Sequence, residues 1–238
     1  MKPSISVVVP ARNEEEYIGP CLESILQQEP RPDEVIVVDN GSTDRTAEIA
    51  RRLGVRVVYQ PNPGLHIARQ TGLEAAQGEV VAATDADCRV EPGWVAAIQE
   101  AFCDPEVVEA YGPLEFYDGP LFDRLLSRYG YPLFLALMDR LGQPNAAGGN
   151  HAVRRQVALE VGGYDVPFGE DLRLMQKLRQ KGRIVYTPKA RVLTSGRRLK
   201  RGRWKMYGVH LKNIWARLRG LPQDYGPDYY ADRERPGR

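Results

Sequence analysis

Cysteine is scarce in this sequence, acids are missing from one long segment, and no apolar run is long enough to cross a bilayer. The three cysteines, Cys21, Cys88 and Cys103, are odd in number and lack Cys-x-x-Cys spacing, which argues against a disulfide framework and a thiolate zinc site. Reduced thiols in a cytoplasmic protein are the expectation. The longest apolar stretch, Tyr131 to Met138, falls far short of the ~20 residues that a spanning helix needs. The N-terminus lacks the basic-then-apolar pattern of a secretion signal, so a spanning or exported chain is not expected. Two phosphate-binding signatures are missing as well. No Gly-x-x-x-x-Gly-Lys-Ser/Thr occurs, and no Gly-x-Gly-x-x-Gly follows the first apolar run, so any phosphate bound here is held by another device.

The 238 residues are 42% hydrophobic and 27% charged, with 23 Gly and 18 Pro. That is an ordinary composition for a globular chain with one good core or two small ones. The net charge of +2 hides an asymmetry: residues 1–171 carry 14 Lys and Arg against 27 Asp and Glu, whereas residues 172–223 carry 16 Lys and Arg and no acid. The late segment is therefore expected to face an anion: a phosphate-bearing substrate, an acidic membrane surface or a nucleic acid. A solvated basic face is the plainer reading.

Ser4 to Val9, a β-branched run between Pro3 and Pro10, reads as a buried strand, and so do Glu34 to Asp39, Val55 to Tyr59 and Glu79 to Thr84. Helical patterns lie between them at Glu16 to Gln28, at Thr43 to Leu53 with Ser42 as N-cap, and at His66 to Ala76 closed by Gly78. This alternation predicts an α/β fold with a mostly parallel central sheet flanked by helices. After a helix at Pro92 to Phe102, short strand-like pieces at Val107 to Tyr111 and Leu114 to Tyr117 indicate a mixed second half. Leu121 to Leu141 is apolar at helical spacing and unusually greasy for a surface helix, and Trp204 to Leu218 repeats that spacing with arginines and lysines between. The second stripe fits a membrane interface or the protein's own core. The expected organisation is one domain over 1–222, divided into a nucleotide-binding half (1–103), an acceptor and catalytic half (104–200) and a basic helix (201–222), with a tail at 223–238.

In parallel sheets ligands bind beyond the carboxyl ends of strands. Three strands here end in polar clusters: Pro10-Ala11-Arg12-Asn13-Glu14, Asp39-Asn40-Gly41-Ser42-Thr43-Asp44 and Asp85-Ala86-Asp87. Two carboxylates one residue apart offer hard oxygen ligands to Mg²⁺ or Mn²⁺, with phosphate oxygens completing the shell. Glu170-Asp171 opens a helical pattern, where acids suit the dipole. Gly148-Gly149-Asn150-His151 reads as a close backbone approach or a tight turn. Arg197-Arg198 begins the densest basic run and could clamp a diphosphate.

Taken in order, the Ser-Val-Val-Val-Pro-Ala-Arg-Asn-Glu-Glu opening, Val-Ile-Val-Val-Asp-Asn-Gly-Ser-Thr-Asp, Asp85-Ala86-Asp87, Gly148-Gly149-Asn150 with Arg154-Arg155, and Gly169-Glu170-Asp171-Leu172 resemble the family 2 glycosyltransferases of GT-A fold over roughly residues 4–195. The resemblance implies transfer of a sugar from a nucleotide-diphosphate sugar, metal-assisted by Mn²⁺ or Mg²⁺, with inversion. Pro10, Arg12 and Glu14 are then the first wall of the nucleotide pocket, and Asp39 contacts base or ribose. Asp85 and Asp87, with Ala86 between them, contact ribose, metal and diphosphate, and Gly149 and Asn150 lie near the sugar. Asp171 is the general base and Glu170 its orienting partner. Asn40 departs from the pattern, which commonly has Asp there. The acceptor left open includes a lipid-linked one in envelope or polysaccharide synthesis, on an enzyme peripheral to the inner membrane face. The competing readings are a retaining transferase of similar fold, a sugar-phosphate nucleotidyltransferase, and a nucleic-acid binder using the basic segment; no nucleic acid partner is expected.

Overall fold

The computed structural model describes residues 2–199 together with 204, 207–209, 211–213, 215 and 219. Its β-branched runs become strands β1 (Ile5–Ala11), β2 (Glu34–Asp39), β3 (Arg56–Tyr59) and β4 (Val80–Thr84), linked by helices α1 (Ile18–Leu26), α2 (Thr46–Arg52) and α3 (Leu65–Ala75). The second half adds β5 (Cys88–Val90), α4 (Trp94–Ala101), β6 (Val107–Tyr111), β7 (Leu114–Phe116), α5 (Leu121–Leu125), a π-helical turn (Leu126–Gly130) and α6 (Tyr131–Arg140). It continues through β8 (Asn150–Arg154), α7 (Arg155–Glu160), α8 (Glu170–Leu178), β9 (Arg183–Tyr186) and β10 (Val192–Thr194).

Seven strands form one sheet in the order β3-β2-β1-β4-β8-β6-β9. Only β8 runs against its neighbours; the other pairs are parallel. The side-chain period of two sends Val7 and Val9 into one apolar cluster with Ile18, Leu22 and Trp94, and Val8 into another with Leu73, Leu174 and Leu178. Because helices cover both faces, the strands read as unbroken apolar runs. β5, β10 and β7 make a small second sheet.

β2 accompanies β1 through Ala11, whereas β4 pairs with it only from Ile5 to Val8. Pro10 lies past that last pair, where the β1–β4 ladder has ended. The two strands part there, and strand order reverses at the same point, which is where α/β sheets hold their ligands.

The polar loop after β2 fastens the loop after β1. Asn13, the one non-glycine residue with positive φ among those described, donates its backbone N–H to Ser42 Oγ and accepts from Thr43 N. Glu14 N donates to Thr46 Oγ1 and Glu15 N to Asp44 Oδ2. Ser42 is therefore not the N-cap of α2. The cap position is Arg45, and Asp44 Oδ1 accepts from Thr46 N.

Among the described residues of the late aromatic stripe, Trp204, Leu211 and Trp215 do not pack on the core. Residues 204, 207–209, 211–213 and 215 are helical, and Trp204, Leu211 and Trp215 are exposed by half or more of their surface. Most of the rest of the expected 201–222 helix, and the tail 223–238, lie outside the described residues. No helix among the described residues is long and apolar enough to cross a membrane.

Glu34 ties three segments together: its carboxylate accepts from Ser6 Oγ at 2.8 Å, Gln77 N at 3.0 Å and Arg56 Nη1 at 2.7 Å. Burial pushes its pKa up, but these bonds outweigh burial and the pKa lies below the usual 4.5. A lowered carboxyl pKa stabilises the fold above its unfolded value, and the contribution is lost as pH falls through the folded one. Glu34→Gln is expected to cost about 1–2 kcal/mol at pH 7 and almost nothing at pH 3, measured by urea unfolding at both.

Candidate active site

The acids expected from sequence gather at the mouth of the β1–β4 crevice. Asp85-Ala86-Asp87 leaves the end of β4, with Ala86 buried and Asp87 5% exposed. Pro10 is buried, Arg12 exposed and Glu14 half-buried in the loop beyond β1. Asp39, buried at the end of β2, accepts from Ser42 N at 3.1 Å. Asn40 donates to Gln60 O and Asn62 O and accepts from Gly64 N. An ionised Asp has no donor for those two carbonyls, so the departure at this position serves the loop 60–64.

Sequence reasoning missed Arg69, on α3. Its side chain is 2% exposed, yet Nη1 meets Glu170 Oε1 at 2.5 Å and Nη2 meets Asp85 Oδ1 at 2.8 Å. Burial works against its charge, but Asp85, Glu170 and Asp171 outweigh burial and raise its pKa. The guanidinium needs space that only glycine leaves: a Cβ on Gly148 would lie 2.0 Å from Nη1. A Cβ on Gly149 would stand 3.2 Å from Asp85 Oδ2. The paired glycines thus admit Arg69 and Asp85.

Asp171 sits in the first turn of α8, which starts after Gly169 in the left-handed region at φ 64°. Its Oδ2 accepts from Gly148 N at 2.7 Å, so the second acid pair and the glycine pair are joined directly. Glu170 points inward to Arg69 and is 2% exposed. The structure thus brings Asp85 and Glu170-Asp171 onto one guanidinium and one backbone turn.

Asn150 and His151 belong to the interior. Asn150 accepts from Trp94 Nε1 and donates to Pro113 O and Ala190 O, so its side chain is bonded within the interior. His151 lies between Glu109 (2.9 Å) and Tyr164 (3.0 Å), all three buried. Burial pushes the Glu109 pKa up against the His151 bond that lowers it. Arg154 and Arg155 brace the far end of β8, on Glu79 and the carbonyls of Leu73 and Glu74.

Arg197 closes the site from the late basic segment. It grips Glu14 with both terminal nitrogens, reaches Asp87 Oδ2 at 3.0 Å and stacks 4.5 Å above the Tyr17 ring. The Arg198 side chain lies outside the described residues.

Removing Arg69 takes the cation from buried Glu170 and from partly buried Asp85. Arg69→Met is expected to cost about 3–5 kcal/mol of stability, and Arg69→Met with Glu170→Met to recover part of it, by urea unfolding. Gly148→Ala, which forces the guanidinium aside, should lower the melting temperature with no change in charge.

The Glycosyl transferase family 2 profile matches residues 6–162. Uncharacterized protein MT1568 of Mycobacterium tuberculosis is 31% identical over 214 residues, which cover 79% of this chain and 65% of that protein. The chain spans no more than about two thirds of the length of the first curated relatives it matches. Among solved structures, a mannosyltransferase from Pyrobaculum calidifontis in complex with GDP-Man and Mn²⁺ superposes with a TM-score of 0.71 at 25% identity, covering 98% of this chain and 69% of that one. The glucosyl-3-phosphoglycerate synthase of Mycobacterium tuberculosis, with Mn²⁺ and UDP, superposes at 0.61 and 26% identity, covering 92% and 81%. By its sequence profile, with the overall fold it shares with these enzymes, the chain belongs to the family 2 glycosyltransferases.

Proposed function

We propose that this protein transfers a sugar from a nucleotide-diphosphate sugar to an acceptor hydroxyl, with inversion at the anomeric carbon. The observation that carries the reading is the bridge from Asp85 through Arg69 to Glu170: two carboxylate motifs far apart in sequence share one buried cation at the strand ends. Donor binding falls to the β1, β2 and β4 loops, with Arg12, Glu14 and Asp39 on the nucleoside and Arg197 and Arg198 on the diphosphate.

Asp87 and Asp85 supply only hard oxygens, and among the described residues no cluster of three His, Cys, Asp or Glu could hold an ion. That donor set fits Mn²⁺ or Mg²⁺ with ligands shared by substrate phosphates, as the Mn²⁺ of both structural relatives suggests. An ion held by Asp85 and Asp87 would supply neutralisation of the charge on a departing diphosphate. Asp171, half-buried and oriented by Gly148 N, takes the acceptor hydroxyl's proton. Glu170, locked by Arg69, positions it.

A membrane-associated acceptor is the reading that the surface supports. Leu121, Phe122, Tyr129 and Leu133 on the α5–α6 stretch are exposed by 63–72%, like Trp204 beyond them, and Arg124, Arg128 and Arg140 lie exposed among them. Tyr207 donates to Asp123 at 2.5 Å, joining the two stripes into one face. An apolar patch edged by arginines suits an anionic lipid surface. The inner face of an envelope membrane is such a surface, where lipid-linked acceptors reside.

In a thermal-shift screen of UDP, GDP, dTDP and CDP with and without Mn²⁺, one nucleotide is expected to raise the melting temperature in a metal-dependent way, and Asp87→Ala to lose the effect. Asp171→Asn should keep the shift and lose about 10²–10⁴-fold in kcat; unchanged turnover would remove the assigned base. In sedimentation with anionic phosphatidylglycerol vesicles at low salt, the wild type is expected to pellet and a Phe122→Asp, Leu133→Asp variant to stay in solution. Wild type left in the supernatant refutes the membrane reading.

A further inference from the structure

Each acid of the Asp85-Ala86-Asp87 turn carries an arginine, and the two arginines differ in kind. Arg69 is sealed beneath Gly148, with side chains on both sides buried or nearly so. Arg197 is 31% exposed and stands on a short 3-10 turn, Gly196–Arg198. Its Nη2 serves Asp87 Oδ2 at 3.0 Å and Glu14 Oε1 at 2.5 Å, and its Nη1 serves Glu14 Oε2 at 2.9 Å. Burial works against this charge too, but Glu14 and Asp87 outweigh it.

Resting on the transferase reading above, we infer that Arg197 is a resident counter-cation which a divalent metal must displace from Asp87, so that the metal binds tightly only together with a nucleoside diphosphate that receives the displaced guanidinium. Two cations on one carboxylate repel each other, and the more so on Asp87, whose own side chain is only 4% exposed. With Arg197 in place, Asp87 Oδ2 already shares a cation with Glu14, and a metal arriving alone gains less from it. A diphosphate changes the balance twice. It adds the oxygens that a two-carboxylate metal site needs, and it offers the planar guanidinium a paired acceptor in place of Asp87.

The backbone is built to let the side chain move alone. Ser195 Oγ and Gly196 N both donate to Asp118, and Ser195 Oγ accepts from Arg197 N at 3.2 Å. These bonds pin the turn ahead of the Arg197 Cα, and Leu199 N donating to Gly196 O closes it beyond, so a change of side-chain torsions suffices to carry the guanidinium off Asp87. Arg69 has no such freedom, which leaves Asp87 as the acid that exchanges partners and Asp85 as the one that keeps its own.

The test is calorimetric titration of Mn²⁺ into the full chain, alone and with saturating UDP or GDP, for wild type, Arg197→Gln and Arg197→Lys, with melting temperature and circular dichroism as checks of folding. Mn²⁺ alone is expected to bind Arg197→Gln about tenfold more tightly than wild type, the effect of removing about 1.4 kcal/mol of competition, while Arg197→Lys stays near wild type. The factor by which nucleotide tightens Mn²⁺ should shrink about as much in Arg197→Gln. Equal or weaker Mn²⁺ binding by Arg197→Gln overturns the inference, and so does a wild type whose Mn²⁺ affinity ignores nucleotide. Failure of the wild type to bind any nucleotide overturns the transferase reading itself, whereas nucleotide and metal binding indifferent to Arg197 removes only the counter-cation.

Discussion

A guanidinium buried at 2% exposure demands two compensations, opposite charge and room, and the structure around Arg69 is organised to give both. The charge comes from Asp85, at the end of β4, and Glu170, at the start of α8. The room comes from Gly148, just ahead of β8. Four segments that share no local sequence contact are thereby fixed within a few ångströms of one another. The same constraint sets the posture of Asp171, whose carboxylate is held by the backbone of the glycine that makes space for Arg69.

The crevice around this bridge combines rigid and movable parts. On the rigid side, the polar loop beyond β2 spends its side chains on the loop beyond β1: Ser42, Thr43, Asp44 and Thr46 each bond to Asn13, Glu14 or Glu15. Residues that look like ligand contacts in the sequence are thus partly the frame that gives the contacts their shape. On the movable side stands Arg197, the late basic segment's contribution, whose charged partners Glu14 and Asp87 are acids of the first half. The charge asymmetry between the two halves therefore meets, in part, inside the site.

Strands β1, β2 and β4 were legible in the sequence because full burial writes them as continuous Val and Ile runs, and their polar ends followed from the rule that ligands lie beyond strand carboxyl ends. β8 was not legible. It opens with Asn150-His151 after two glycines, a pattern that reads as a turn, and its polar residues are tolerated only because Trp94, Glu109 and Tyr164 satisfy them in the interior. Arg69 escaped for a related reason: one basic residue in an amphipathic helix looks solvated. The usable signal was its register, since Ala68, Gly72, Leu73 and Ala76 place position 69 on the buried stripe of small residues. The exposed Leu121 to Leu141 stretch was visible as too apolar for its surroundings, but only the three-dimensional structure shows which of its side chains remain uncovered.

The antiparallel placement of β8 beside β6 has a consequence for how such chains diversify. Tyr111 faces His151 across the ladder, and Gly112 N donates to Asn150 O at 3.3 Å, so residues 112–149 leave the sheet and return to it at a single point. They form an excursion that carries β7, which pairs with β10 in the second sheet, and then α5, the π-helical turn and α6. Between β7 and Gly148 the chain can be lengthened, shortened or exchanged without rethreading any strand, and it returns through Gly148 and Gly149 to the acids of the crevice. A change of length or sequence there leaves every strand of both sheets where it is.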